Sequence, residues 1–179
     1  GKSYRMGLEL QGNLKLSRMV HWNANLTLSR NRIDQYREIL EDYGSDFSEF
    51  NLVETVYRDT DIAFSPSLIA GSTLSLTPFT GTTFTLLTKY VGRQYLDNTT
   101  NDARSIDAYL INDVRMTYSW RPSFLKEVNF SFLVNNILNT AYESNGYTYG
   151  YLAGATEYRE NFYYPQAGRN YMAMIGIKF

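Results

Sequence analysis

The sequence predicts an all-β chain: a fragment of an antiparallel transmembrane β-barrel, about seven strands of a larger barrel. Three observations predict it. Apolar and polar residues alternate strictly along most of the chain, as in Val20, Trp22, Ala24, Leu26 and Leu28 against His21, Asn23, Asn25, Thr27 and Ser29. A period of two places the two sets on opposite faces of a strand, because successive Cβ atoms point to opposite sides. The connections between these segments alternate short and long, the rim pattern of outer-membrane barrels. Aromatic residues make up 16% of the chain, with 16 Tyr, the amphipathic ring suited to membrane interfaces.

Taken in order, the strands fall at roughly 4–16, 19–32, 57–77, 82–97, 106–120, 127–136 and 169–179. Met6, Leu8, Leu10, Leu14 and Leu16 form the apolar side of the first, opposed by Glu9, Gln11, Asn13 and Lys15. Pro66 interrupts the third segment, which reads as one strand with a bulge near Ser65-Pro66. Phe84, Leu86 and Tyr90 continue the pattern, then Leu110, Val114, Met116, Tyr118 and Trp120, then Val128, Phe130, Phe132 and Val134. The last segment sets Tyr171, Ala173, Ile175, Ile177 and Phe179 against Asn170 and Lys178, with Met172 and Met174 as exceptions. Ser17-Arg18, Pro78–Gly81 and Arg121–Lys126 are short turns, whereas 33–56, 97–105 and 137–168 are longer loops. No repeat, linker or domain boundary divides residues 1–179.

Composition narrows the function. Lys and Arg number 17 against 18 Asp and Glu, so no basic surface for nucleic acid is indicated. With no cysteine, disulfides, thiolate metal sites and Cys nucleophiles are excluded together. The longest apolar runs are about six residues, as at Met172–Ile177, against the roughly 20 that a membrane helix needs, so any spanning element is a strand.

Alternation alone leaves open which face is dry. A soluble ligand-binding barrel turns its apolar face inward, and a membrane barrel turns it outward. The polar faces here are mostly Asn, Thr, Ser and Gln with few charges, and the apolar faces end in Trp22, Tyr90, Trp120, Tyr171 and Phe179. Many segments exceed the ~9–11 residues that cross a bilayer. These features favour the membrane. With seven strands and Phe179 at the periplasmic rim, Gly1 falls at the outer rim. An even-stranded closed barrel then requires further strands before it.

Val134-Asn135-Asn136-Ile137-Leu138-Asn139 followed by Tyr142-Glu143 resembles the penultimate-strand motif of TonB-dependent outer-membrane receptors. Asn145-Gly146-Tyr147-Thr148-Tyr149-Gly150, the run from Tyr163 to Asn170, and the run from Lys89 to Thr99 resemble the Bacteroidetes-type branch. The resemblance implies a plugged barrel of about 22 strands, of which this chain is the C-terminal part without plug or N-terminal strands. It also implies active import of a scarce ligand such as a ferric siderophore, haem, cobalamin or a glycan, with no cofactor. The implied partners are the TonB–ExbB–ExbD complex acting through the plug, the outer-membrane assembly machinery, the lipid bilayer and the imported ligand. The implied location is the outer membrane of a Gram-negative cell. An autotransporter translocator, a porin or a soluble ligand-binding barrel stand as alternatives.

Loop 137–168 is the expected ligand-binding segment, through Tyr142, Tyr147, Tyr149, Tyr151, Tyr158 and Tyr163, whose rings offer rigid contact area with a polar handle. Arg159 is the expected attraction for an anionic ligand. The competing reading is that these rings pack the loop on itself or form the outer girdle. Arg93, Asp113 and Arg115 are expected to face the lumen, lining the ligand route or pairing across strands. Tyr171, Ile175, Ile177 and Phe179 resemble the assembly signal of outer-membrane barrels, and Phe179 also suits a lipid-facing anchor. The single histidine, His21, has no visible catalytic partner, so no enzyme is expected. Asp42, Asp46 and Glu49 lack the spacing of a calcium loop and read as a solvated segment, and no metal site is expected.

Overall fold

A computed structural model describes residues 2–179. One antiparallel wall runs through it: β1 (Ser3–Lys15), β2 (Val20–Asp42), β4 (Leu68–Leu76), β5 (Thr82–Val91), β8 (Tyr109–Trp120), β9 (Glu127–Asn135) and β12 (Asn170–Lys178), each bonded to the next. Tight turns join the wall strands along one rim. In the first, the Ser17 hydroxyl accepts from the Met19 and Val20 amides at 3.1 Å, an Asx-like turn made by a serine.

Register ties the apolar positions of all seven wall strands into continuous rows. Leu14, Trp22, Leu74, Leu86, Val114, Val134 and Tyr171 lie opposite one another in succession. So do Val20, Leu76, Phe84, Met116, Phe132 and Ala173. These side chains do not meet in a core: Phe132 is 46% and Ile175 65% exposed. The opposite face carries Asn23, Thr73, Leu87 and Asp113 in one row and Gln11, Asn25, Gly71, Lys89 and Ile111 in the next. A depression of about 360 Å³, lined by Asn25, Thr73, Lys89 and Asp113 among others, opens on that polar side.

The rows climb. The first starts at Leu14, beside the lower turn, and ends at Tyr171, near the upper end of β12. Strand tilt with an accumulating stagger is the geometry that closes a sheet into a barrel, and the sheet is curled accordingly.

Above the wall the structure corrects the expected boundaries. Among the described residues twelve strands are formed rather than seven, and each wall strand overlaps one of the expected segments. The segment 33–56 is not a loop: β2 continues for 23 residues to Asp42 and pairs with β3 (Asn51–Asp61), leaving only 43–50 irregular. Both faces of this extension project beyond the wall, so neither shows a clean apolar stripe. The segment 57–77 is two strands, because β3 runs with the upper half of β2 and β4 with its lower half. Between them Phe64 takes φ 52° and Pro66, which has no amide to donate, occupies the break. The strand placed at 82–97 ends at Val91, and β6 (Gln94–Tyr95) pairs with β7 (Ser105–Ile106) inside the loop that follows. The loop 137–168 contains a hairpin, β10 (Glu143–Ala153) and β11 (Thr156–Pro165). Its Tyr residues alternate at a strand period, but in a stretch rich in Gly and Asn.

Candidate functional site

The β10–β11 hairpin has two chemically distinct faces. On one, register sets Tyr147 opposite Phe162, Tyr149 opposite Glu160 and Tyr151 opposite Tyr158. The Tyr147 and Phe162 rings stack at 4.8 Å between centroids, and those of Tyr151 and Tyr158 at 5.3 Å. Tyr164 adds a ring 6.3 Å from Tyr147. Beyond the hairpin tip, Tyr43 and Phe47 from the β2–β3 connection lie 6.0 and 6.3 Å from Tyr151. The result is an exposed aromatic panel assembled from two segments far apart in sequence.

The reverse face carries Arg159 and Glu157 and packs on the loop between β5 and β8. Asn161 donates through Nδ2 to the Ala103 carbonyl at 2.7 Å, and the Tyr163 hydroxyl donates to the Ser105 carbonyl at 3.1 Å. Gly150 permits the approach, since a Cβ there would lie 2.7 Å from Arg159 Cζ.

At the centre of that contact lies a buried ion network. Arg104 is 7% exposed and bonds Glu38 at 3.1 Å, Asp97 at 3.0 Å and Glu157 at 3.1 Å. Arg159 bonds Glu38 at 2.7 Å and Glu157 at 2.6 Å. Burial works against the Arg159 charge, but the Glu157 and Glu38 carboxylates overcome it and hold its pKa above the ordinary arginine value. The Tyr57 hydroxyl donates to Glu38 at 3.0 Å, and burial together with that carboxylate raises its pKa. The network locks the β2 extension, the loop 92–108 and the hairpin together. Its members sit in four separated stretches of ordinary loop charges, so no sequence pattern announced it.

The Asn-rich motif after β9 forms a second fixture, at the hairpin's base. Asn136 is buried with φ 49°, and Asn139 has φ 54°. Asn136 accepts from the Thr140 amide at 2.9 Å and donates to the Thr140 carbonyl at 2.9 Å. Asn139 accepts from the Arg169 amide at 2.9 Å. Small amide side chains tolerate left-handed backbone and replace missing backbone partners, which accounts for asparagine at both positions.

Of the residues singled out in the sequence, Tyr147, Tyr149, Tyr151 and Tyr158 come together on the panel. Tyr142 does not join them, and its ring lies tilted against that of Tyr109 at 4.8 Å. Tyr163 and Arg159 lie on the reverse face, and the Arg159 charge is already matched by carboxylates. Phe162, Tyr164, Tyr43 and Phe47 complete the panel. Asp113 and Arg115 lie on the polar face of β8, where an Asp113 oxygen accepts from the Asn136 amide at 2.7 Å. Arg93 is not on the wall, because β5 stops at Val91; it pairs with Asp102 at 3.0 Å in the loop beyond. His21 lies on the polar face between Lys15 and Ser75. Asp42 accepts from the Gly44 and Gly154 amides at 3.0 Å, joining the two hairpin tips, while Asp46 accepts from Ser48 and Glu49 from Asn51. Tyr171, Ile175, Ile177 and Phe179 are exposed on the apolar side of β12, whose only strand partner among the described residues is β9.

Several solved structures share this architecture. The chain superposes on the siderophore receptor PiuA from Acinetobacter baumannii with a TM-score of 0.72 at 14% identity, over 99% of this chain and 22% of that one. The ferric-catecholate import receptor Fiu from E. coli K12 gives 0.63 at 13% identity, over 100% of this chain and 21% of that one. The ferric yersiniabactin uptake receptor FyuA from Yersinia pestis gives 0.61 at 21% identity, over 97% and 23%. The likeness is one of fold: a curled segment of a β-barrel. This barrel segment spans about a fifth of the length of those receptors. No family model matches the sequence, and among curated proteins no relative matches it.

Proposed function

We propose that the chain is the C-terminal part of the barrel of a TonB-dependent outer-membrane receptor of the Bacteroidetes type, from a Gram-negative cell. Its role is active import of a scarce ligand. The observation that carries the reading is the set of exposed apolar rows crossing all seven wall strands in register, with a polar hollow behind them. A bilayer covers such a face without any protein partner. The likeness to siderophore and ferric-complex receptors supports import. In this reading the plug and the remaining strands of a barrel of about 22 belong to the rest of the protein. The plug couples to TonB–ExbB–ExbD, and the edge of β12 ending in Phe179 is offered to the assembly machinery.

The aromatic panel on β10–β11 is the ligand-contact face, held outward by the ion network behind it. The test is ligand uptake by cells producing the full-length protein with residues 143–165 trimmed. The barrel should persist, shown by heat-modifiable mobility on a gel, while uptake is lost. Full uptake by the trimmed protein would remove the site assignment.

A further inference from the structure

The panel has a charge character as well as a shape. Register places Glu160 midway between the Tyr147–Phe162 and Tyr151–Tyr158 ring pairs, directly across from Tyr149. The two ring pairs are four strand residues apart, roughly 13 Å. Glu160, Tyr149 and Tyr158 are all exposed. The only basic residue in 143–165 is Arg159, which points to the reverse face and bonds Glu38 and Glu157. The adjoining tip, 38–54, holds Glu38, Glu41, Asp42, Asp46, Glu49 and Glu54 with no Lys or Arg. Arg37, at its edge, pairs with Glu54 at 3.2 Å. Even the buried network sets two guanidinium groups against three carboxylates. Ring faces carry the negative part of the aromatic quadrupole, and flanking carboxylates add to it. The exposed charges of this face and its ring faces therefore favour a positive partner over an anionic one.

We propose that the panel recognises an organic cation, an alkylammonium or guanidinium group carried by the ligand. The group sits against Tyr149 and the Tyr151–Tyr158 pair with its charge turned to Glu160. The inference rests on the reading of this hairpin as the ligand-contact face and assigns that face its chemical class. It predicts the reverse of the anion attraction that Arg159 suggests in the sequence.

The discriminating probes are an arginine tripeptide amide and its citrulline counterpart, equal in shape and different in charge. Both are titrated calorimetrically into the full-length receptor in detergent micelles. The arginine peptide should bind about ten-fold tighter, and the difference should shrink as salt screens the carboxylates. Glu160→Gln should erase most of the difference while the barrel's heat-modifiable mobility is unchanged. Tyr149→Ala should weaken the arginine peptide by about ten-fold. Equal binding of the two peptides, or no binding of either, overturns the proposal. Neither result touches the assignment of the hairpin as the ligand-contact face, which stands or falls on uptake by the trimmed protein.

Discussion

Arg104 shows how much one side chain can organise. It is 7% exposed and Glu38 8%, so each depends on the other for solvation. Removing one partner of a buried pair strands the remaining charges, at a cost of about 3–5 kcal/mol. Arg104→Ala should therefore release the hairpin, read as faster amide exchange across 143–165 with the wall unchanged. Arg104→Lys should rescue poorly, because an ammonium cannot reproduce a planar fork that serves three carboxylates. The pH dependence has a definite sign at Tyr57. Its pKa is raised above 10.0 by burial and by the Glu38 carboxylate, so its contribution is constant below 10.0 and is lost as pH climbs through the raised value. Tyrosinate absorbance of the wild type minus that of Tyr57→Phe should show a hydroxyl ionising above the ordinary tyrosine range. A Tyr57 hydroxyl ionising at the ordinary value would remove the Glu38 contact.

At the scale of elements, the hairpin depends on one glycine and one asparagine knot. Gly150→Ala drives a methyl into Arg159 and should undock β10–β11 without affecting β9 or β12. Limited proteolysis at 154–156 would report it. Asn136→Ala removes the amide that bridges to Thr140 and leaves buried backbone groups unpaired, about 1–3 kcal/mol, and should loosen the same segment from its base. The contrast between wall and outer elements explains what the sequence could reveal. Wall strands carry apolar residues on one face and polar residues on the other, so alternation at Trp22, Phe84 or Phe132 marks them as strands. The β2 extension, β3 and the hairpin are exposed on one face and held by specific polar contacts on the other. Their signal lies in partners such as Glu38, Asp97 and Glu157, brought together only by folding. Tyr147, Tyr149 and Tyr151 were singled out only as aromatic residues of an expected loop, although their spacing of two is that of a strand face. Tyr142 and Tyr163 were not separable from them, because face assignment needs the register with β11.

At the scale of the molecule, the apolar rows give the sharpest expectation. Leu86 and Thr85 are neighbours on opposite faces of β5. Lysine in place of Leu86 should destabilise the barrel by about 2–4 kcal/mol in lipid vesicles, as for a charge near the bilayer midplane, whereas Thr85→Lys should be nearly neutral. Urea titration of the refolded protein measures both, and equal effects would argue against a lipid-facing side. The climb of those rows has a further outcome. Each strand hands its height to the next, like steps on a spiral stair, so the two free margins of the sheet stand at different levels. Inserting two residues into β5 would lift the rest of that strand by a rung while leaving its faces correct. Inserting one would turn the greasy treads inward over the rest of that strand.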